Sequence, residues 1–189
     1  MTTLHPLAYP VHTVSSAPEG AKEALRTLEQ DFGFVPNVAG AMAESPTALN
    51  AFLSVFHTFH HGTLTGAERQ VLLLTNAVTN GCGWAVALHS ALALKEGVTS
   101  DDVDAIRAGG SPSDAKLAAL SRYARTLIEK RGTADERDIA AFVESGFTRD
   151  QTLEVIVGIA GSVFTNYTAN VARPPLEPQL DGHRWTSAR

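Results

Sequence analysis

Cys82 and His89 are the side chains best suited to chemistry, and they lie on one predicted helix. Their separation is about two helical turns, so they would share a face within about 20° while remaining roughly 10 Å apart along the axis. A cysteine that opens a helix meets backbone N–H groups, which favour the thiolate and raise its reactivity. Ala85 occupies the position between the two, and its methyl group is inert. The spacing predicts a reactive thiol and a histidine with no second nucleophile between them.

A structural interpretation competes with the chemical one for both residues. A single cysteine is often a small core residue, so Cys82 fits packing as well as thiol chemistry. A histidine in an apolar helix is often only a hydrogen-bonded core group, so His89 fits that role as well as proton transfer. The sequence leaves both pairs of alternatives open.

The elements that would position these residues are all helical. Apolar residues recur at helical spacing between glycine and proline breaks, and no strand pattern is present. Nine helices are predicted, at 18–31, 37–43, 47–61, 65–79, 82–96, 103–108, 114–130, 135–144 and 148–171. The predicted organisation is an N-terminal arm (1–17), a helical domain (18–172) and an extended, proline-rich C-terminal tail (173–189).

Composition excludes several classes of function. The 189-residue chain carries a net charge of -5, which offers no basic surface for nucleic acid. Its single cysteine, Cys82, cannot form an intramolecular disulfide, which favours a reducing, cytoplasmic setting. The start of the chain lacks the pattern of a signal peptide, and the stretch 155–164 is too short to span a bilayer. We expect no membrane partner.

Most of the chain resembles the alkylhydroperoxidase D-like, carboxymuconolactone decarboxylase family, in its peroxidase-related branch. The resemblance rests on Asn80-Gly81-Cys82 with His89, and on the segments 32–37, 64–70 and 166–174. Family members carry a glutamate and then Asn-Gly-Cys-x-x-Cys-x-x-x-His. The second cysteine attacks peroxide, the first resolves the disulfide, and Glu and His move protons. The resemblance implies an all-α, multi-helix, homo-oligomeric antioxidant oxidoreductase that uses peroxide and a thiol reductant and needs no cofactor.

Two motif positions depart from that family. Ala85 stands where the attacking cysteine is expected, and Gln70 stands where the glutamate is expected. The two-cysteine cycle therefore cannot run with one cysteine. Glu68 is a weak candidate for the missing carboxylate, because an offset of two residues turns it about 200° around the helix.

Other side chains are candidates for a pocket or a metal site. Trp84, Asn166 and Tyr167 are candidate pocket residues. His57 and His61 are four residues apart on one helical face, but two ligands do not complete a metal site, so no metal is predicted.

Three functions remain as hypotheses. The first is residual one-cysteine thiol peroxidase activity at Cys82, with His89 moving protons. The second is a non-catalytic pocket protein of the same fold that binds a small molecule. The third is acid-base chemistry of the carboxymuconolactone decarboxylase type, which needs cationic groups that the segment around Cys82 does not supply.

Overall fold

Nine α-helices and one 3-10 helix account for most of residues 9–186, the part of the chain that the computed structural model describes. The α-helices are α1 (Glu19–Phe32), α2 (Asn37–Met42), α3 (Pro46–His60), α4 (Gly66–Thr79), α5 (Gly83–Lys95), α6 (Ser100–Arg107), α7 (Ala115–Glu129), α8 (Glu136–Glu144) and α9 (Gln151–Ala172). The 3-10 helix spans Pro178–His183. The first eight residues of the predicted arm and the last three of the predicted tail lie outside the described residues.

Helix α4 is the centre of the bundle because it is apolar on nearly every side. Its run from Val71 to Leu74 is buried throughout, and the helix packs against α5, α7 and α9. A helix that is apolar all round must be enclosed by others. Helix α6 also contacts α4, and the buried apolar residues of α4 contribute to two apolar clusters.

The N-terminus of α4 is fixed by a capping box. The Thr65 side chain accepts a hydrogen bond from the Glu68 backbone N–H, and the Glu68 carboxylate accepts one from the Thr65 N–H at 2.8 Å. The other Glu68 oxygen pairs with Lys116 Nζ on α7 at 2.8 Å. Glu68 therefore joins the start of α4 to α7, and its partner is Lys116 rather than the adjacent Arg69.

A tight turn connects α4 to α5. Gly81 has a φ of 64°, a left-handed conformation that favours glycine. The turn brings the Cys82 N–H within 2.9 Å of the Ala77 carbonyl oxygen. Cys82 is the N-cap of α5 and has an extended backbone, with φ -97° and ψ 94°. The Cys82 side chain therefore projects from an extended residue that precedes the first helical residue, Gly83.

The C-terminal segment folds back over α5 and α2. Glu177 is buried, and its carboxylate accepts hydrogen bonds from the Asn37 backbone N–H and from the Trp84 indole. Further along, Trp185 donates its indole N–H to the Arg107 carbonyl oxygen, and Arg107 donates to the His183 carbonyl oxygen. These bonds attach the described part of the tail to its own chain.

The predicted all-α class is confirmed, and the helix ends agree with the sequence pattern to within about a turn. The 3-10 helix in the tail was not predicted, because a proline-rich segment indicated only extended chain. The carboxylate of Glu68, the weak candidate for the missing motif glutamate, is engaged in the cap and in the ion pair with Lys116.

We expect Glu68→Gln to lower the free energy of unfolding at neutral pH by about 1–2 kcal/mol, because the cap and the ion pair both weaken. Burial alone would raise the pKa of Glu68, but hydrogen bonds from Lys116 and Thr65 outweigh burial and hold it below its ordinary value. A depressed folded-state pKa stabilises the fold above the unfolded-state pKa, and this stabilisation is lost as pH falls through the folded-state pKa.

Urea denaturation of the wild type and of Glu68→Gln at several pH values measures this effect. The difference between the two proteins should shrink as pH falls below 4.5, the ordinary carboxyl value. Glu29→Gln, which alters an exposed glutamate on α1, is the control and should change little. A constant difference across this pH range would contradict the assignment.

Candidate functional site

A cavity of about 470 Å³ lies between α3, α4, α5 and α9 and extends toward α1 and α2. Most of its wall is aromatic or aliphatic. The aromatic residues are Phe32, Phe52, Phe56, Phe59 and Trp84, and the histidines are His57, His60, His61 and His89. The polar remainder is Asp31, Gln70, Ser162 and Thr165.

His89 is the most deeply buried histidine of the wall. Its Nδ1 lies 3.0 Å from Gln70 Oε1, an acceptor, so Nδ1–H is the donor and Nε2 is left able to accept. Burial, reinforced by the neighbouring His60, lowers the pKa of His89 to about 3. The imidazole is therefore neutral near pH 7, and the hydrogen bond to Gln70 fixes its tautomer.

His60 offers a second acceptor to the same cavity. Its Nδ1 donates to the Phe56 carbonyl oxygen at 2.8 Å, which again leaves Nε2 as the acceptor. Burial lowers the pKa of His60 despite the opposing effect of that hydrogen bond. Two imidazole nitrogens with lone pairs thus line one largely apolar space.

The described cavity lining includes one carboxylate, and the Arg69 guanidinium lies behind it, near His60. Asp31 Oδ2 lies 3.2 Å from His57 Nε2, and both side chains are partly exposed. Among the lining residues within 9–186, Asp31 is the one Asp, Glu, Lys or Arg. No cationic side chain is therefore available in this wall to bind an anion.

Trp84 is held in the cavity wall by the C-terminal segment. Its indole N–H donates to Glu177 Oε2 at 2.8 Å, and the same carboxylate accepts from the N–terminus of α2. Trp84 is 8% exposed and Glu177 is 4% exposed. A buried indole N–H needs such a partner, so Glu177 fixes the ring against the cavity.

Cys82 and Ala85 lie outside this wall. Both are fully buried in an apolar cluster with Val71, Leu74 and Val86. Burial raises the pKa of the Cys82 thiol, and the backbone N–H groups of Ala85 and Trp84 oppose this rise without overcoming it. The sequence predicts a thiolate that shares a cavity with His89. In the structure, apolar side chains enclose the Cys82 sulfur, and His89 alone of the two lines the cavity.

The two polar candidates on α9 also lie outside the cavity wall. Asn166 is buried and donates to Ser162 Oγ at 3.1 Å. Tyr167 is 56% exposed and lies on the outer face of the helix. His57 and His61 do line the cavity, where His57 pairs with Asp31 and His61 donates Nδ1–H to the His57 carbonyl oxygen. Residues 9–186 hold no cluster of three or more potential metal ligands.

Three residues of the site were missed by sequence reasoning. His60 sits between His57 and His61, and no spacing rule distinguished it from them. Gln70 was assigned only as a replaced motif position, although an amide 19 residues before a histidine can still bind it across two packed helices. Glu177 carried no signal, because its contacts are 93 and 140 residues away.

The sequence of residues 44–129 matches the model of a known protein family. The model of the carboxymuconolactone decarboxylase family matches residues 44–129, which run from the start of α3 through α7. This range includes Gln70, Cys82 and His89. No curated protein matches the chain significantly in sequence.

Solved structures establish the fold over nearly the whole chain. A peroxidase-related protein with an alkylhydroperoxidase AhpD core from Ralstonia eutropha JMP134 is 22% identical, with a TM-score of 0.80 over 94% of this chain and 96% of that one. A peroxidase-related protein from Silicibacter sp. TM1040 is 18% identical, with a TM-score of 0.76 over 97% and 98%. The debrominase Bmp8, as a cysteine-to-alanine variant in complex with 2,3,4-tribromopyrrole, is 16% identical, with a TM-score of 0.76 over 95% and 96%. The chain therefore has the AhpD-like, peroxidase-related fold.

We expect Gln70→Glu to raise the pKa of His89, because a carboxylate beside the ring favours the imidazolium. The pH dependence of the imidazole ¹⁵N chemical shifts measures both the pKa and the tautomer. In the wild type, the shifts should report one protonated nitrogen, Nδ1, down to about pH 4, since the pKa is about 3.

Gln70→Met is the matched control, because it keeps the approximate length but adds no charge. It should leave the His89 pKa low while loosening the preference for one tautomer. A wild-type His89 that is doubly protonated at neutral pH would contradict the assignment.

Proposed function

We propose that this protein, as a member of the peroxidase-related branch of the AhpD-like group, binds a small, uncharged aromatic molecule that carries an N–H or O–H donor. The observation that carries the proposal is the neutral His89 in the wall of an aromatic cavity, with Nδ1 bound to Gln70 and Nε2 able to accept. In this proposal the His89 cavity is the functional site.

The size and lining of the cavity support an aromatic ligand. About 470 Å³ lies within the range of small-molecule sites, which are mostly apolar with a few polar groups that orient the ligand. Phe52, Phe56 and Trp84 offer ring faces and edges that favour stacked or edge-on contact with another ring.

The polar groups of the cavity favour a donor and disfavour an anion. The Nε2 atoms of His60 and His89 are acceptors, and a ligand without a donor would leave them unpaired in an apolar space. A carboxylate ligand would meet Asp31 and no Lys or Arg in the described wall. This charge pattern argues against decarboxylase-type chemistry on a lactone acid, which stays the weakest of the three hypotheses.

The strongly lowered pKa of His89 also bears on mechanism. An imidazole with a pKa of about 3 is a weak base, so it accepts a hydrogen bond more readily than a whole proton. This property supports recognition rather than general-base catalysis. Bmp8, which shares the fold, binds a brominated pyrrole, and that compound is a compact aromatic ring with one N–H.

We expect 2,3,4-tribromopyrrole to bind about tenfold more tightly than its N-methyl analogue, since one hydrogen bond in an apolar site contributes roughly 1.4 kcal/mol. In His89→Phe, which keeps an aromatic ring but removes the acceptor, the two compounds should bind about equally. Isothermal titration calorimetry, or the intrinsic fluorescence of Trp84 measured in a Trp185→Phe background, gives the affinities.

Cys82→Ser is the matched control for the ligand experiment. The wild-type preference for the N–H compound should persist in it, because Cys82 does not line the cavity. Equal binding of both compounds by the wild type, or a preference that survives in His89→Phe, would contradict the proposed role of His89.

The second candidate is one-cysteine thiol peroxidase activity at Cys82. The observation in its favour is the Asn80-Gly81 turn, which sets the sulfur at the first turn of α5, where the N–H groups of Trp84 and Ala85 favour the thiolate. Peroxide would oxidise the thiolate to a sulfenic acid and release water or an alcohol, and an external thiol would then reduce it. Full burial and the raised pKa of the thiol count against this candidate.

We expect hydrogen peroxide to be consumed at equal rates by the wild type and by Cys82→Ser with dithiothreitol as the reductant, because a buried, protonated thiol reacts slowly. Loss of peroxide and mass-spectrometric detection of sulfenic acid report the reaction. Ala85→Ser is a matched control that changes a neighbouring buried side chain without removing sulfur. A wild-type rate well above that of Cys82→Ser would favour the peroxidase and displace the binding proposal as the main function.

A further inference from the structure

The outer face of α9 is apolar and open to solvent. Leu153 and Val171 are each 65% exposed, Tyr167 is 56% exposed and Ile156 is 46% exposed. Ala160 is exposed between them, and Val163 is half-buried. Glu154 is the one charged residue in the 22 residues of the helix, and its carboxylate is bound to Thr63. We define Leu153, Ile156, Ala160, Val163, Tyr167 and Val171 as the α9 stripe.

The spacing of the α9 stripe fits another helix. Its residues follow one another at intervals of three or four, the repeat by which one helix packs along another. A face without charges over about 30 Å of helix is unusual at a surface in contact with water. A straight apolar helix is the partner that would cover it along its length.

The sequence of the α9 stripe is also self-complementary. The midpoint of helix α9 falls between Gly161 and Ser162, and Ala160 and Val163 of the stripe flank it symmetrically. Ile156 and Tyr167 lie equally far from the midpoint, as do the terminal residues Asp150 and Arg173, which are both exposed and of opposite charge. A two-fold axis pairs residue i with j and j with i, so an antiparallel second copy would match size with size and acid with base.

A groove at one end of the helix fits the same arrangement. It measures about 320 Å³ and is lined by Tyr9, Ala41, Met42, Glu44, Ser45, Ala48, Tyr167, Thr168, Val171 and Ala172. In the antiparallel pairing, Leu153 of a second copy would lie opposite the stretch from Tyr167 to Val171, next to this groove. The groove would receive Leu153, the one leucine of α9.

We propose that the α9 stripe is a two-fold interface in which α9 packs antiparallel against α9 of a second copy of this chain. Leu153 of each copy enters the groove beside Tyr9 and Met42 of the other. This interface does not depend on the ligand of the cavity.

The other face of α9 argues against a lipid surface as the occupant. The helix is long and apolar enough to cross a membrane by length and composition alone. Its inner face, however, carries the buried polar residues Ser162, Thr165 and Asn166 and packs against α2, α3, α4, α5 and α7. Lipid could therefore reach only the outer stripe, and Arg149, Asp150 and Arg173 at its ends form no basic cluster for anionic headgroups.

Charge-pair variants of the full chain test the register. Sedimentation equilibrium should show a dimer for the wild type. Ile156→Glu should raise the dissociation constant at least tenfold, because it buries a carboxylate in the interface, and Tyr167→Lys should do the same. In the double variant Ile156→Glu with Tyr167→Lys, each carboxylate would face an ammonium group of the other copy, so the dimer should recover at low salt and weaken at high salt.

Val143→Glu is the matched control, because it adds a charge at a partly exposed apolar residue on α8 and should leave the dimer intact. Circular dichroism of each variant checks that the helices are kept. A monomeric wild type at micromolar concentration would overturn the proposal, as would an oligomer that both single variants leave unchanged. Failure of the double variant to recover would overturn the antiparallel pairing, and binding of the wild type to phosphatidylcholine vesicles instead of itself would identify lipid as the occupant.

Discussion

The hydrogen bond between Gln70 and His89 is the interaction on which the candidate site depends. It joins α4 to α5 across the wall of the cavity and fixes which ring nitrogen carries the proton. An amide can make this bond without bringing a negative charge into the interior, so nothing offsets the effect of burial, which keeps the imidazole neutral. A carboxylate at the same place would stabilise an imidazolium and would change the cavity from one that accepts hydrogen bonds to one that can exchange protons.

The rest of the cavity is consistent with that neutral centre. Its walls come from several helices and from the folded-back C-terminal segment, yet the polar atoms they supply are mainly acceptors and hydroxyl groups. Among the described lining residues, the one carboxylate belongs to the partly exposed Asp31. The AhpD-like fold therefore surrounds this space with groups that select by shape, ring contact and hydrogen bonding rather than by ion pairing.

The helices could be predicted from sequence because their signals are local. Apolar periodicity gave their faces, and Gly33, Gly97 and the Thr65 cap gave their ends. The relation between Cys82 and His89 could not be obtained in the same way. A seven-residue spacing puts two side chains on one face only when both residues are helical. Cys82 is the extended N-cap residue, so its sulfur does not follow the angular repeat of α5.

The state of the Cys82 thiol and the roles of three further site residues also could not be predicted from the sequence. The N–H groups at the start of α5 do act on the Cys82 thiol, but burial in hydrocarbon has the larger effect, and sequence alone does not give the depth of burial. His60, Gln70 and Glu177 owe their places to contacts between distant segments. Such contacts follow from the packing of whole helices, which no short motif encodes.

The glycine residues on the inner side of α9 affect the width of the cavity. A β-carbon at Gly158 would lie 2.6 Å from a methyl carbon of Leu72 and 2.7 Å from the ring of Phe59, so only hydrogen fits there. Gly158 lines the cavity, and so does Phe59 on α3. A side chain at Gly158 would have to displace Phe59, so this glycine sets how closely α9 approaches α3 and thereby the width of the cavity.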